Sequence, residues 1–497
     1  MRRICCVMTA ALAACANEPL PPAQLPTASH YTPGPVIDQT AAAAGVHGGQ
    51  VQAFVSGQDI PAQWWNLFKS PALDEMVRQA LQNSPTLAQA AARLRQAEED
   101  RNARAGATRY PQVDARLGAN RINVEPQSLG AQNLPFSTPF NLFFASVGVS
   151  YNFDLFGANR HELQALQAEV DQQRYQLEAA RLMLAGNVVT AAIREASLRE
   201  QIAATEEIIA LQQRRLAIVE RLEQLGTAAQ SDAVAQRLEL AQSRAALPDL
   251  QRQLEQLRHR LAMYTGQAPG AAHLPQFHLS ELQLPAQLPL SLPSQLARQR
   301  PDIRAAEALL QQAGERVGVA TANLYPQLTL SADLGSLATH AGDLFGAGTA
   351  FYLLGASLSQ PIFHGGELQA RRRAAVASYE QAAAAYQEIV LQGLQDVADV
   401  LRALQADALT LQQRADAAAQ ARRQHDIASA RFEAGGLSQY QLLDVERRLQ
   451  ATRLDQTRAV AARYADSAAL LQALGGGWKQ DQPGGSNSHG RPIREIE

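Results

Sequence analysis

Two stretches of this chain read only as very long helices, and they limit what the rest can do. Ala158 to about Gln224 contains no proline and one interior glycine, Gly186, and Gly366 to Glu433 is equally helical in composition. At a rise of 1.5 Å per residue, roughly 67 residues make a rod about 100 Å long, far beyond the usual globular helix. Each stretch ends in a turn: Arg221 to Asp232 holds the first, and Arg431 to Asp444 the second. Arg221 aligns with Arg431 and Gly226 with Gly436, an offset of 210 in both cases (431 − 221, 436 − 226). The chain is a duplicated helical hairpin, its first return helix running from Gln230 to Tyr264.

The surroundings of each hairpin repeat as well. Ser84-Pro85 is a helix start, a hydroxyl cap followed by proline at the first helical position, and predicts a helix to Thr108. Tyr110-Pro111-Gln112 ends it, because proline disfavours the α region in the residue before it. Val113, Ala115, Leu117 and Ala119 then alternate with polar neighbours, and Val147, Val149, Tyr151 and Phe153 alternate on the return. Period two is the mark of a strand with one apolar and one polar face. In the second half Arg300-Pro301-Asp302 opens a helix and Tyr325-Pro326-Gln327 closes it. Strands at Leu328–Leu334 and Tyr352–Leu358 follow, and Gln360-Pro361-Ile362-Phe363-His364-Gly365-Gly366 leads into the second long helix. Strands of about 10 residues match a tilted bilayer crossing. Val390, Leu394, Val397, Leu401, Leu404, Ala408 and Leu411 step by four and three, a coiled-coil stripe.

These signals divide the chain into a first repeat at 61–268, an equatorial connector at 269–293 and a second repeat at 294–475. A Gly-, Ser- and Pro-rich tail at 476–497 is expected to be disordered. Ahead of the repeats, Met1-Arg2-Arg3 and the apolar Ile4–Ala14 make residues 1–14 a signal peptide. Leu12-Ala13-Ala14-Cys15 resembles a bacterial lipobox, which implies a lipid on Cys15; a plain secretory signal with an incidental cysteine is the other reading. Ala16 after Cys15, by resemblance to lipoprotein sorting, points to the outer membrane. Residues 15–60, rich in Pro, Ala, Gly and Gln, are expected to form a flexible linker behind that anchor.

Composition excludes more than it selects. A net charge of −3 without a basic cluster gives no nucleic-acid footprint, and beyond the N-terminus no apolar run of the length a transmembrane helix needs occurs. Four amphipathic strands per chain cannot stay an open sheet in lipid, where each unsatisfied edge group costs several kcal/mol. Four strands are also too few to close on themselves, so several copies must close together. The expected fold is mainly α with a β-barrel portion, the barrel continued by a ring of helical rods with a polar lumen.

Trp64-Trp65 to Phe68, the two Tyr-Pro-Gln helix ends, Arg300-Pro301-Asp302, Gln360 to Gly366 and both tip motifs resemble those of TolC-type outer-membrane efflux channels. With the lipobox, they resemble the NodT-like lipoprotein branch. The resemblance covers about 60 to 475 and implies a homotrimer with a 12-stranded β-barrel and a 12-rod α-barrel. It implies an exit duct of a tripartite pump, with a periplasmic adaptor and an inner-membrane RND-type pump as partners and outer-membrane lipid around it. It further implies that the tips Gly226-Thr227-Ala228 and Gly435-Gly436-Leu437-Ser438 dock the adaptor, although glycine-supported turns alone would explain them. Polar links near the tips would form a periplasmic gate from Ser231, Asp232, Phe432, Gln441 and Asp444. Simple helix capping is the competing reading, above all for Asp232. Phe432 stands where family members often carry Tyr, and Gln441 where some carry an acid, which weakens any double acidic ring.

No enzyme chemistry stands out. The histidines lack metal-ligand spacing, and no phosphate loop, dinucleotide fingerprint or nucleophilic triad is visible, so no cofactor or metal is expected. His364 beside Gly365-Gly366 fits a junction turn. The alternative class is a soluble periplasmic adaptor or coiled-coil structural protein of an export complex. An adaptor carries one hairpin with compact β-domains and would not need detergent.

Overall fold

The computed structural model describes residues 20–21, 30–34, 38–123 and 139–478. Cys15, the signal segment before it, the tail from 479 and most of the loop before Pro139 lie outside the described residues. In chain order the elements are β1 (Ala53–Ser56), α1 (Pro71–Asn83), α2 (Pro85–Arg109), β2 (Gln112–Ile122), β3 (Phe140–Phe153), α3 (Ala158–Gln224) and α4 (Gln230–Tyr264). Then come β4 (Gln287–Leu290), α5 (Pro293–Gln299), α6 (Pro301–Ala322), β5 (Gln327–Ala338), β6 (Ala350–Ser359), α7 (Glu367–Glu433) and α8 (Gln439–Ala473). Both long helices hold 67 residues and both return helices 35. The short helices before the strands hold 25 and 22.

The chain forms two compact units. Among the described residues, one comprises 92–123, 139–174 and 305–388 with Leu20 and Pro21; the other comprises 30–34, 38–91, 175–304 and 389–478. The first unit carries an antiparallel four-stranded sheet in the order β2-β3-β5-β6. Its register puts Val113, Val149, Ala332 and Leu354 in one row, and Asp114, Gly148, Asp333 and Leu353 in the next. Since alternate residues point to opposite faces, one face is apolar along Val113–Ala119, Val147–Phe153, Leu328–Leu334 and Tyr352–Leu358, with Arg121, Asn141 and Ser336 toward the loop end. The other carries Gln112, Asp114, Arg116, Ser150 and Thr329. The apolar face is bare: Leu117 is 79% exposed, Tyr352 77% and Leu354 73%. In the same unit, Ala313 and Val317 of α6 and Tyr379 and Ala382 of α7 form a small core joined by Leu20, and the Tyr379 hydroxyl donates to the Pro21 carbonyl at 3.0 Å.

The second unit buries its largest side chains around the short N-terminal elements. Trp64, Phe68, Leu73, Leu288 and Tyr464 are almost wholly buried, with the Phe68 and Tyr464 rings 6.2 Å apart. Ser70 accepts from the Leu73 N–H and Pro71 opens α1, so this helix is set by its cap. The predicted stripe on α7 is also buried, with Val397, Leu401, Leu404, Ala408 and Leu411 all at 1% exposure or less. Among the described residues no helix is long and apolar enough to cross a membrane.

Two expectations need correction. Residues 38–57 are not free linker: β1 pairs in parallel with β4, Ala53 opposite Gln287. Arg463, fully buried on α8, donates to the Gly48 carbonyl at 3.0 Å, the Gln50 carbonyl at 2.9 Å and Thr40 Oγ1 at 2.7 Å. Gln52 Nε2 donates to Ser467 Oγ at 3.0 Å. Backbone carbonyls are the main ligands here, so a Pro-, Ala- and Gly-rich composition conceals the site. The repeat offset is also 209, not 210, since helix starts (367 − 158) and helix ends (433 − 224) agree on it. Residues 475 and 476, placed in repeat and tail respectively, both adopt positive φ beside Gln299 and Leu182 of the second unit.

Candidate gating and docking site at the hairpin tips

Both tips use one backbone solution. At the first, the Gly226 N–H donates to the Glu223 carbonyl and the Thr227 N–H to the Leu222 carbonyl, each at 2.9 Å. At the second, Gly435 donates to Phe432 at 2.9 Å and Gly436 to Arg431 at 2.8 Å. Gly226 and Gly435 both sit at φ +74°, the left-handed conformation that closes a helix C-terminus. Gly436 is not in that region, so Gly435 is the true partner of Gly226. By the same register Asp232 corresponds to Gln441, while Asp444 corresponds to Ala235.

The gate candidates therefore separate. Asp232 Oδ2 accepts the Ala229 N–H at 3.3 Å, closing the first turn of α4. Gln441 Oε1 accepts the Ser438 N–H at 3.1 Å, while Ser438 Oγ accepts the Gln441 N–H at 3.2 Å, a reciprocal cap on α8. Ser231 and Phe432 are exposed and join no cluster with these caps. Among the docking candidates, Gly226, Thr227, Gly435, Gly436 and Ser438 are exposed, and Ala228 and Leu437 half-buried.

Asp444 alone enters a network. Its Oδ1 accepts from Arg215 Nη1 at 3.0 Å and Arg447 Nη2 at 3.3 Å, and its Oδ2 from Arg448 Nε at 2.9 Å. Arg215, from α3, is 4% exposed and gives its other nitrogen, Nη2, to the Tyr440 hydroxyl at 2.8 Å. Its guanidinium lies 4.5 Å from the Tyr440 ring centre, a cation–π contact. Glu239 of α4 stands 3.8 Å from Arg215 Nη1. One buried cation thus joins three helices of both hairpins. Nearby, His425 on α7 lies 3.5 Å from Glu446 on α8.

Sequence reasoning missed Arg215, Tyr440 and Glu239. The one available signal was the spacing of Tyr440 and Asp444, four residues apart and so on one helix face. Phe432 does lack a phenol, but Tyr440 supplies one to the arginine instead. Among the described residues no group of three His, Cys, Asp or Glu side chains is placed to hold a metal ion.

Duplicated long hairpins joined to an amphipathic antiparallel sheet define the class of helical-hairpin outer-membrane channels. The chain belongs to the outer membrane efflux protein family, whose profile matches residues 76–267 and 292–476. It is 32% identical over 432 residues to the pyoverdine export outer membrane protein OpmQ of Pseudomonas putida, covering 86% of this chain and 90% of that one. It is 27% identical over 422 residues to the probable outer membrane lipoprotein SilC of Salmonella typhimurium, covering 84% and 88%. The crystal structure of the outer membrane protein VceC of Vibrio cholerae superposes with a TM-score of 0.73 at 26% identity, over 84% of this chain and all of that one. The protein is an efflux channel of the outer membrane.

Proposed function

We propose that three copies of this chain close into one conduit, a 12-stranded β-barrel continued by a 12-rod α-barrel, serving as the exit duct of a tripartite pump. The observation that carries this is the sheet. Among the described residues its apolar face is bare, and β2 and β6 each have a strand partner on one side only. Lipid on one face and neighbouring copies at both edges satisfy all of these groups together. The polar face then lines a water-filled lumen, and the duct carries small molecules or metal ions without catalysing a reaction. A periplasmic adaptor and an inner-membrane RND-type pump complete the pathway and select the cargo. Purified protein in planar bilayers should give stable ion-conducting steps, and cross-linking should stop at trimers; monomers without conductance would refute the duct.

Cys15 is read as the lipid attachment site, in keeping with the relative named as a lipoprotein. The barrel supplies membrane affinity of its own, so Cys15→Ser behind an ordinary signal peptide should lose the lipid and keep the trimer. Failure of that variant to trimerise would give the anchor a folding role. The tips are read as the adaptor's docking surface, because Gly226 and Gly435 keep them narrow and open to solvent. Ser438 is a helix cap, so Ala228→Glu and Leu437→Glu are the cleaner tests. Both should abolish export while trimers persist; unimpaired export would remove the docking role. The Arg215–Asp444 network is read as the latch that holds the hairpins together at rest.

A further inference from the structure

We propose that the hollow between the end of α2 and the start of α3 binds the phosphate of an anionic phospholipid. The proposal rests on the reading of the sheet as membrane-spanning. The hollow measures about 530 Å³, and Arg101, Arg109, Arg160, Tyr151 and Asp154 are among the residues that line it. Three guanidinium groups therefore face one carboxylate. That carboxylate is already engaged: Asp154 Oδ1 accepts the Asn159 N–H at 3.1 Å and Oδ2 the Arg160 N–H at 2.9 Å, capping α3. The neighbouring acid Glu162 is paired with Arg104. Among the described residues Arg101, Arg109 and Arg160 make no ion pair; Arg101 makes only a 3.4 Å contact to Asn102.

The position of the hollow chooses its ligand. Tyr151 lies on the apolar face of the sheet, opposite Leu330, with its ring 5.0 Å from that of Phe153. Val113, 65% exposed, and Val149 continue the same face. A molecule seated here meets cations at one end and a bare apolar surface at the other. That is the shape of a phospholipid, its phosphodiester on the arginines and its acyl chains along the strands. The tyrosine sits at the change from apolar to polar surface, where amphipathic rings gather at a bilayer boundary. Basic pockets at such a boundary recognise anionic head groups.

The test uses the full-length protein in neutral detergent. Native mass spectrometry would count bound phosphatidylglycerol against phosphatidylcholine, with and without inorganic phosphate as competitor. Wild type should retain phosphatidylglycerol preferentially, and inorganic phosphate at equal concentration should not displace it. Each Arg→Gln change at 101, 109 or 160 should lower retention roughly fivefold. The triple Arg→Lys variant should keep most of it, which answers a folding defect in the triple Gln variant. Equal retention by wild type and the Gln variants would overturn the proposal, as would displacement by free phosphate. Bilayer insertion of the same preparation separates the two readings. Failure to insert sinks the channel, whereas insertion without lipid preference sinks only this site.

Discussion

The two hairpins are alike in backbone and opposite in chemistry. At an offset of 209, Arg215 corresponds to Gln424 and Asp444 to Ala235, so the charged clamp of one hairpin contact has neutral residues at the equivalent positions. Deeper in the hairpins the contrast repeats. Asp407 and Asp466 face each other in the second, where the first has the buried leucines Leu198 and Leu257. In the first, buried Glu195 accepts from Arg199 at 2.8 Å and Arg258 at 2.7 Å; the second has Leu404 and Ser467 there. Helix length and turn geometry were kept through the duplication because they set the hairpin itself. Side chains at matched positions were free to diverge, since each copy meets different neighbours.

Breaking the clamp should have the largest effect. Arg215→Ala removes the cation that Asp444 and Glu239 share. Both acids are partly exposed and Asp444 keeps Arg447 and Arg448, so the loss should be about 1.5–3 kcal/mol, the scale of hydrogen bonds to a charged group. Hydrogen exchange at Gln439–Leu449 should accelerate, and single-channel conductance should rise. Asp444→Ala should act in the same direction and at least as strongly, because it leaves the buried Arg215 guanidinium with only the Tyr440 hydroxyl and the more distant Glu239. Faster exchange with unchanged conductance would make the network purely structural, and no change in either would refute both roles.

The carboxylate pair comes next. Burial, followed by the Asp407 charge and hydrogen bond, pushes Asp466 up to about 7. In the unfolded chain an aspartate titrates near 3.9, so between about pH 4 and 7 the folded state binds the extra proton. Its stabilising share is complete below that window and is lost as the pH rises through 7. Replacing both acids by leucine copies the first hairpin into the second. The variant should gain about 1–2 kcal/mol at pH 8 relative to wild type, a figure reduced for solvent screening of a half-buried pair. It should gain little at pH 4. Parallel stability curves from pH 4 to 8 would refute the raised value.

How much of this was legible beforehand follows from where each signal lies. The 67-residue helices are written in the absence of proline, and the strands in period-two alternation; both are local, and both appear in the structure. The belt at 38–57 was not legible, because Arg463, which holds it, lies some 400 residues on and binds carbonyls that any sequence offers. Arg215 was hidden differently. The chain has 44 basic residues, nearly all arginine, and only tertiary packing selects one for burial. The repeat register slipped by one because Gly435-Gly436 offers two glycines to match Gly226, while only geometry tells which takes positive φ.

That register can be checked directly. Gly435→Ala forces an L-residue into the left-handed region and should cost about 1–2 kcal/mol of local stability at the tip. At Gly436 an added Cβ would lie 3.6 Å from the Arg431 carbonyl oxygen, an ordinary contact, so Gly436→Ala should stay within about 0.5 kcal/mol. Thermal unfolding of the two variants decides it; the reverse order would restore the offset of 210.

The smallest expected effect tests the comparison from the other side, by building the missing clamp. In the ring of three chains proposed above, the contact that Arg215 makes with α8 inside one copy should recur where α7 of one copy would meet α4 of the next. Gln424 and Ala235 would face each other there. Gln424→Arg with Ala235→Asp should therefore form a new ion pair between copies. Gln424 is exposed in the single chain, so the gain should be modest, about 0.2–1 kcal/mol per contact, and screened by salt. Three such contacts should raise the temperature at which trimers dissociate and lower resting conductance, with both effects fading at high salt. Each single variant alone should do neither. A double variant indistinguishable from the singles at low salt would mean that the two positions do not meet, and that the hairpins do not repeat around the ring in this register.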